Sequence, residues 1–495
     1  MREYFLTKRC FYFPLLLVLL TLFTRVIISE KYFFGYDSVN YALAVKDYSL
    51  SATRPHLPGS ILFVETIKLI NLLINDIHKS FLLSLNIFSM LAAIFSYKTF
   101  LKYFDKYKSF LLTLIIIFNP MVWYYGAVTE IYTFDWFFSS LIFYFSFRKN
   151  AIYYLPIIFA IGTGFRPSSG VLLIPFYFYL LWKEKQILWG KLFVFFFAAV
   201  VLFLLWFIPL INDVGGLSEY IELFSVNNPT EQISLLQNLF RISSLVIYLL
   251  MPFFLFFFFI KNKNILINKT EIKKILIFIF PAILFFLFFH YSKGYALLII
   301  TPFITLIGFL IVKKSFPLLM LLIIFEIVLF LFIPSRETSL ESKIKPSIRN
   351  SGIAQIWLDR TLSDYSLTYS SIQKKSELLS NLIDVINYKG SGRLFLGPTL
   401  SYLGRALQIQ FPEKEFMSID FRNSKKYISF SNLVVKRKNI ERINDEDLLI
   451  IRDDFYNKYL QKNNINYKRK NIYTLILNDK LFNSFQRVSD SLFVR

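Results

Sequence analysis

The stretch SEKYFFGYDSVNYALAVKDYSLSATRPHLP, residues Ser29 to Pro58, decides how the chain is read. It follows an apolar run from Phe11 to Ile28 that is long enough to cross a bilayer. It is polar and too long for a tight turn. It sets Gly35-Tyr36-Asp37 just beyond the membrane surface and brings Arg54 and His56 to the entry of a second apolar segment. A carboxylate, a guanidinium and an imidazole held at an interface are the groups needed to act on a lipid-linked anionic substrate. Asp37 has a second reading, as the cap of a helix beginning near Ser38.

The composition agrees with a membrane protein. Hydrophobic residues make up 55% of the chain and aromatic residues 19%, and the mean hydropathy is +0.51. A soluble domain is not so apolar. Runs of membrane-spanning length recur from Phe11 to Ile333, which reads as a polytopic helical protein. The formal net charge is +22. It does not point to nucleic acid, because many lysines fall in short loops between apolar runs, where they set topology. The single cysteine, Cys10, excludes an internal disulfide and a cysteine-based metal site. The first apolar run has no small-residue cleavage site after it and reads as a retained helix.

Arg2, Lys8 and Arg9 precede the first run, so the N-terminus is expected inside and the loop with Asp37 outside. Leu57 to Ile74 is the main topological choice. As an interfacial helix it leaves Lys98 to Lys108, Arg148-Lys149, Lys183 with Lys185, Lys261 to Lys274 and Lys313-Lys314 all inside. As a span it inverts them. The lysine bias, together with the interruptions at Lys68, Asn71, Asn75 and Asp76, favours the interfacial reading. The spans then number about eleven. After the first they run Phe81–Tyr97, Phe110–Tyr125, Ile131–Phe147, Ile152–Arg166, Ser169–Trp182, Leu192–Ile211, Ile242–Ile260, Ile275–Phe289, Tyr295–Val312 and Phe316–Ile333.

On that topology the polar groups gather on one face. Beside Asp37, Arg54 and His56 it collects Glu130, Tyr132 and Asp135, then Arg166 between Gly164 and Pro167, then His290, Lys293 and Tyr295. Glu130 and Asp135 are carboxylates at the end of a span, and such groups face a cavity or a partner. They either line a site or belong to a helix start capped by Thr129. Arg166 suits a phosphate or a lipid headgroup. His290 and Lys293 are either phosphate ligands or interfacial anchors, and Tyr295 also suits the aromatic belt. Three histidines, His56, His78 and His290, form no metal pattern.

From Pro334 the composition turns polar. Helical patterns (Ile372–Asn387, Leu400–Gln408, Tyr456–Lys462) alternate with strand-like ones (Arg393–Leu396, Leu448–Ile451, Ile472–Leu477). Two domains are expected: a membrane module over Met1–Ile333 and an external α/β domain over Pro334–Arg495.

Three motifs carry a family resemblance: Gly35-Tyr36-Asp37 with the later Arg54-Pro55-His56-Leu57-Pro58-Gly59; Ala127-Val128-Thr129-Glu130-Ile131-Tyr132-Thr133 after Asn119-Pro120; and Lys293-Gly294-Tyr295-Ala296-Leu297 leading to Pro302. Over the membrane part the chain resembles the GT-C superfamily of polyprenyl-phosphate-sugar-dependent glycosyltransferases, near the bacterial relatives of protein O-mannosyltransferases and the aminoarabinose transferases. The resemblance implies a multi-pass enzyme of the bacterial inner membrane. It would be an inverting transferase with its site and C-terminal domain on the periplasmic side and no cofactor. Its partners would be a polyprenyl-phosphate-linked sugar donor, a glycan, lipid or protein acceptor, and membrane lipids. Asp37 would be the general base and Glu130 a second acid. Arg166, His290 and Lys293 would meet the phosphate, and Arg54, His56, Tyr132, Asp135 and Tyr295 would complete substrate binding. Many relatives carry a second acid next to the first, where this chain has Ser38.

Two other readings stay in view. A transporter or flippase for a lipid-linked glycan predicts repeats or interrupted helices with charges near mid-membrane. A polymerase or ligase of surface polysaccharide also uses outer arginine and histidine, but centres on a large late loop.

Overall fold

The structure, a computed structural model, describes residues 12–227, 239, 269–288, 293–310, 316–332, 367–388, 394–396, 404–414, 416–419, 427–429, 436–437, 448–452, 468–470 and 473–476. The chain divides into two compact units, Met1–Glu30 with Leu57–Ile372, and Lys31–His56 with Gln373–Arg495. The loop Lys31–His56 therefore groups with the tail.

In chain order the helices are α1 (Tyr12–Ile28), α2 (Tyr36–Lys46), α3 (Ile61–Ile74), α4 (Ile77–Phe100), α5 (Lys106–Phe118), α6 (Pro120–Ala127), α7 (Tyr132–Phe145), α8 (Ala151–Phe165), α9 (Pro167–Lys183), α10 (Trp189–Asp213), α11 (Leu217–Asn227), α12 (Lys269–Phe288), α13 (Ile300–Leu310) and α14 (Phe316–Phe332). All but α2 belong to the first unit. The apolar runs became helices close to where the sequence placed them. The expected span Ile242–Ile260 and the tail helix Tyr456–Lys462 lie outside the described residues.

Length separates these helices. Only α4 and α10 are long and apolar enough to cross a membrane by themselves, among the described residues, and α5 with α6 makes a third if the bent pair is one span. Helices α1, α8, α13 and α14 are apolar but shorter. Helix α3 has 14 residues, too short for a hydrocarbon core of about 30 Å. It buries Phe63, Val64 and Ile67 and exposes Leu69, Leu72 and Leu73.

The run Phe110–Tyr125, expected as one span, bends by 59° between α5 and α6. Pro120 causes the break, since it has no N–H to donate and its ring clashes with the preceding turn. The freed backbone groups find new partners. The Asn119 N–H donates to the Ile116 carbonyl at 3.2 Å, and the Asn119 Oδ1 accepts from the Met121 N–H at 3.2 Å. The Ile117 carbonyl accepts from Arg25 Nη2 of α1 at 2.6 Å. Arg25 is fully buried and lies against Gly126, where an added Cβ would sit 3.0 Å from its Nε. From α14, Glu326, also fully buried, accepts from Asn119 Nδ2 at 3.4 Å.

In the second unit, α15 (Tyr369–Tyr388, in this unit from Gln373) buries Leu379 and Ile386 on one stripe and exposes Glu377 and Asp384. The strands are β1 (Leu394–Leu396), β2 (Phe416–Ile419), β3 (Tyr427–Ser429), β4 (Lys436–Arg437), β5 (Leu448–Arg452), β6 (Lys468–Lys470) and β7 (Tyr473–Ile476). They form one sheet in the order β4-β3-β2-β1-β5-β7-β6. The three central strands are parallel, and the outer pairings are antiparallel. Helix α16 (Gly404–Gln410) follows β1 and packs on α2.

Close packing in the first unit is testable at Gly162 of α8, where an added Cβ would overlap the Phe138 ring of α7. Gly162→Val should destabilise the protein by about 1–3 kcal/mol through overpacking. Thermal unfolding in detergent measures this, and an unchanged melting temperature would mean that α7 and α8 are not in contact there.

Candidate active site

Each unit holds part of the predicted set. In the first unit the centre is Arg166. It stands at the break between α8 and α9, in extended backbone (φ −151°, ψ 94°), and its side chain is 7% exposed. Gly164 and Pro167 flank it, and Pro167 starts α9 at a position where no N–H is required. The guanidinium lies between two rings, its Cζ 4.4 Å from the centres of both Tyr132 and Tyr295. Such stacking attracts a cation to the ring faces. Its Nε is 3.2 Å from Asp135 Oδ2. Asp135 is fully buried, one turn into α7 from Tyr132, and its other oxygen accepts from the Ser169 hydroxyl of α9.

Four sequence-predicted residues are thus together: Tyr132, Asp135, Arg166 and Tyr295. Gly294 makes the approach possible, since an added Cβ would overlap the Tyr132 ring. Lys293 opens the 3₁₀ helix Lys293–Leu298 that carries Tyr295. His290 lies outside the described residues.

Glu130 is half-buried just before α7. The alternative reading of Thr129 as an N-cap does not hold: α7 starts at Tyr132 with no side-chain cap. Thr129 instead gives both its N–H (2.7 Å) and its hydroxyl to the carboxylate of Glu30, whose own N–H donates to the Ala127 carbonyl at 2.9 Å. Glu30 is buried. It was not singled out in the sequence, although a carboxylate closing the first apolar run was a visible signal.

The second unit holds Asp37, Arg54 and His56. Gly35 is the N-cap of α2 without a side-chain cap, so Asp37 sits in the first turn and does not cap it. A negative charge there is favoured by the helix dipole. The Asp37 Oδ1 is 3.5 Å from His56 Nδ1, and the two side chains are 40% and 33% exposed. The His56 ring meets Tyr41 edge-on at 5.4 Å. Residues Ser49 and Arg54 exchange backbone hydrogen bonds of 2.7 and 2.8 Å, closing a turn, and Arg54 pairs with Asp47. Arg54 is therefore engaged by a carboxylate within its own loop.

The two groupings differ in chemistry. Arg166 is a rigid, desolvated cation walled by tyrosines, which suits recognition of an anion and of sugar faces. Asp37 with His56 is half-buried, a carboxylate beside an imidazole, which is the pairing that general acid–base chemistry uses.

The helical architecture is shared with solved structures of one other protein. The crystal structure of ArnT from Cupriavidus metallidurans bound to undecaprenyl phosphate superposes with a TM-score of 0.56 at 12% identity, covering 95% of this chain and 98% of that one. The same protein in the apo state gives 0.57 at 13% identity with the same coverage. At that identity the likeness is one of fold. No family model and no curated protein sequence matches the chain.

Removing Asp135 leaves Arg166 buried without its carboxylate. Asp135→Ala should cost about 3–5 kcal/mol, and Asp135→Leu combined with Arg166→Met should recover most of the loss. Thermal unfolding of the three proteins decides it. Equal losses in single and double variants would show that the pair is not coupled.

Proposed function

We propose that this protein is a membrane glycosyltransferase that moves a sugar from a polyprenyl-phosphate donor to an acceptor hydroxyl on the outer face of the bacterial inner membrane, with inversion at the anomeric carbon. The observation that supports this most is the fold shared with ArnT over 95% of the chain, one of those structures holding undecaprenyl phosphate. The buried cation in an aromatic wall and the half-buried Asp37 are the chemistry such a reaction needs.

In this reading Asp37 takes the proton from the acceptor hydroxyl. The oxygen then attacks the anomeric carbon, and the bond from that carbon to the phosphate oxygen breaks. The polyprenyl phosphate leaves with the electron pair as a stable anion, so little acid catalysis is required. Arg166, Lys293 and His290 offset the negative charge of the phosphate as it develops. Asp135 keeps Arg166 oriented, Tyr132 and Tyr295 bound the sugar, and Glu130 contacts the acceptor side. Arg54 and His56 support Asp37. The membrane module (Met1–Ile333) carries the donor, and Pro334–Arg495 is an external α/β domain.

One observation favours a second reading, translocation of a lipid-linked glycan. The bent α5–α6 pair places fully buried Arg25 and Glu326 around a broken helix, a feature of transporters. A vesicle assay for movement of the donor without an acceptor tests it.

The glycosyltransferase reading predicts that two classes of variant separate. Asp37→Asn should reduce transfer by about 10²–10⁴-fold with donor binding kept, since the amide cannot accept a proton. Arg166→Ala should weaken donor binding itself. Near-normal transfer by Asp37→Asn would remove Asp37 as base and make Glu130 the next candidate. Normal donor binding by Arg166→Ala would displace the phosphate site.

A further inference from the structure

Arg405 is buried, 4% exposed, in the short helix α16 of the tail. Its Nη1 donates to Asn40 Oδ1 at 2.5 Å and to Thr53 Oγ1 at 2.8 Å, residues 365 and 352 positions away in sequence. Asn40 lies one turn beyond Asp37 on α2 and is fully buried. Thr53 lies three residues before His56. We propose that Arg405 is a positioning residue for the Asp37–His56 pair, tying the helix that carries Asp37 to the turn that leads into His56. The proposal rests on Asp37 being the base.

The local geometry explains why such a tie is needed. Thr53 has φ +57°, a left-handed conformation that a β-branched residue does not adopt on its own account. It is held by its N–H to the Leu50 carbonyl (2.9 Å), by its hydroxyl to the Ala52 carbonyl (2.7 Å) and by Arg405. Asp37 and His56 are on opposite sides of that turn in sequence, and their 3.5 Å approach depends on how the turn meets α2. Because one guanidinium nitrogen serves both acceptors, it fixes the spacing between them. A charged donor makes such bonds short and directional. Every candidate residue named from the sequence lies at or before Tyr295, so Arg405 gives the tail a part in the chemistry.

The test uses the full-length protein with three variants, Arg405→Met, Arg405→Lys and Thr53→Val. Transfer is resolved into kcat and donor KM, beside hydrogen exchange of peptides spanning residues 31–56. Arg405→Met should lower kcat by about 10- to 100-fold, the scale of a misplaced catalytic group, with donor KM within about threefold of wild type. Exchange should rise over residues 31–56 while peptides from α4 to α9 keep wild-type rates. Arg405→Lys should recover part of kcat. Thr53→Val removes one acceptor without touching the tail and should show a smaller loss of the same kind, which keeps the test valid if Arg405→Met folds poorly. Unchanged exchange and kcat in Thr53→Val and Arg405→Lys, or a loss in KM alone, overturns the positioning role. Full transfer by Asp37→Asn overturns the base assignment instead, and the exchange data stay readable in that case.

Discussion

A carbonyl freed at a proline is the constraint from which the first unit follows. In a hydrocarbon surround no water is present to satisfy a broken helix, so each freed group needs an internal partner. At Pro120 the Ile117 carbonyl takes Arg25, and the side chain of Asn119 takes the Met121 N–H. The break lets α6 turn away from α5. The chain then passes Thr129, pinned by Glu30, and enters α7 with Tyr132 and Asp135 on one side. Those two residues receive Arg166. The cation between tyrosines is therefore the end of a sequence of satisfied polar groups that starts at a helix break.

The Arg166–Asp135 pair follows the same logic at the next level. An isolated charge in this setting is costly, and a paired one is tolerated when its geometry is fixed. Ser169 and the two tyrosines fix it. The pair adds little net stability beyond an apolar replacement, but it holds a guanidinium in one orientation. The proposed phosphate role of Arg166 would benefit from that rigidity, because a preorganised group does not have to reorganise as charge develops.

Much of this was legible in the sequence. Apolar runs gave the helices, and their polar ends gave Tyr132, Asp135, Arg166 and Tyr295, which the fold does bring together. The strands Leu394–Leu396, Leu448–Arg452 and Tyr473–Ile476 stood out as short apolar stretches between polar ones. The bend at Asn119 was present in the letters as Asn-Pro, yet hydropathy alone reads across it. Glu326 was visible as a carboxylate in an apolar run. Arg405 gave no signal, since its partners lie hundreds of residues earlier and nothing local marks them. Thr129 does not cap α7, which begins at Tyr132, and its hydroxyl goes to Glu30 just past α1.

The proposed reaction requires that this fold hold a polyprenyl phosphate as donor carrier. Native mass spectrometry of the full-length protein, purified in mild detergent and given polyprenyl phosphate beside bulk phospholipids, tests it most directly. The expected result is one retained polyprenyl phosphate, or its sugar-bearing form carried through purification, that outlasts the phospholipids as collision energy rises. Phospholipid adducts alone, with no polyprenyl phosphate retained at any concentration, would contradict it.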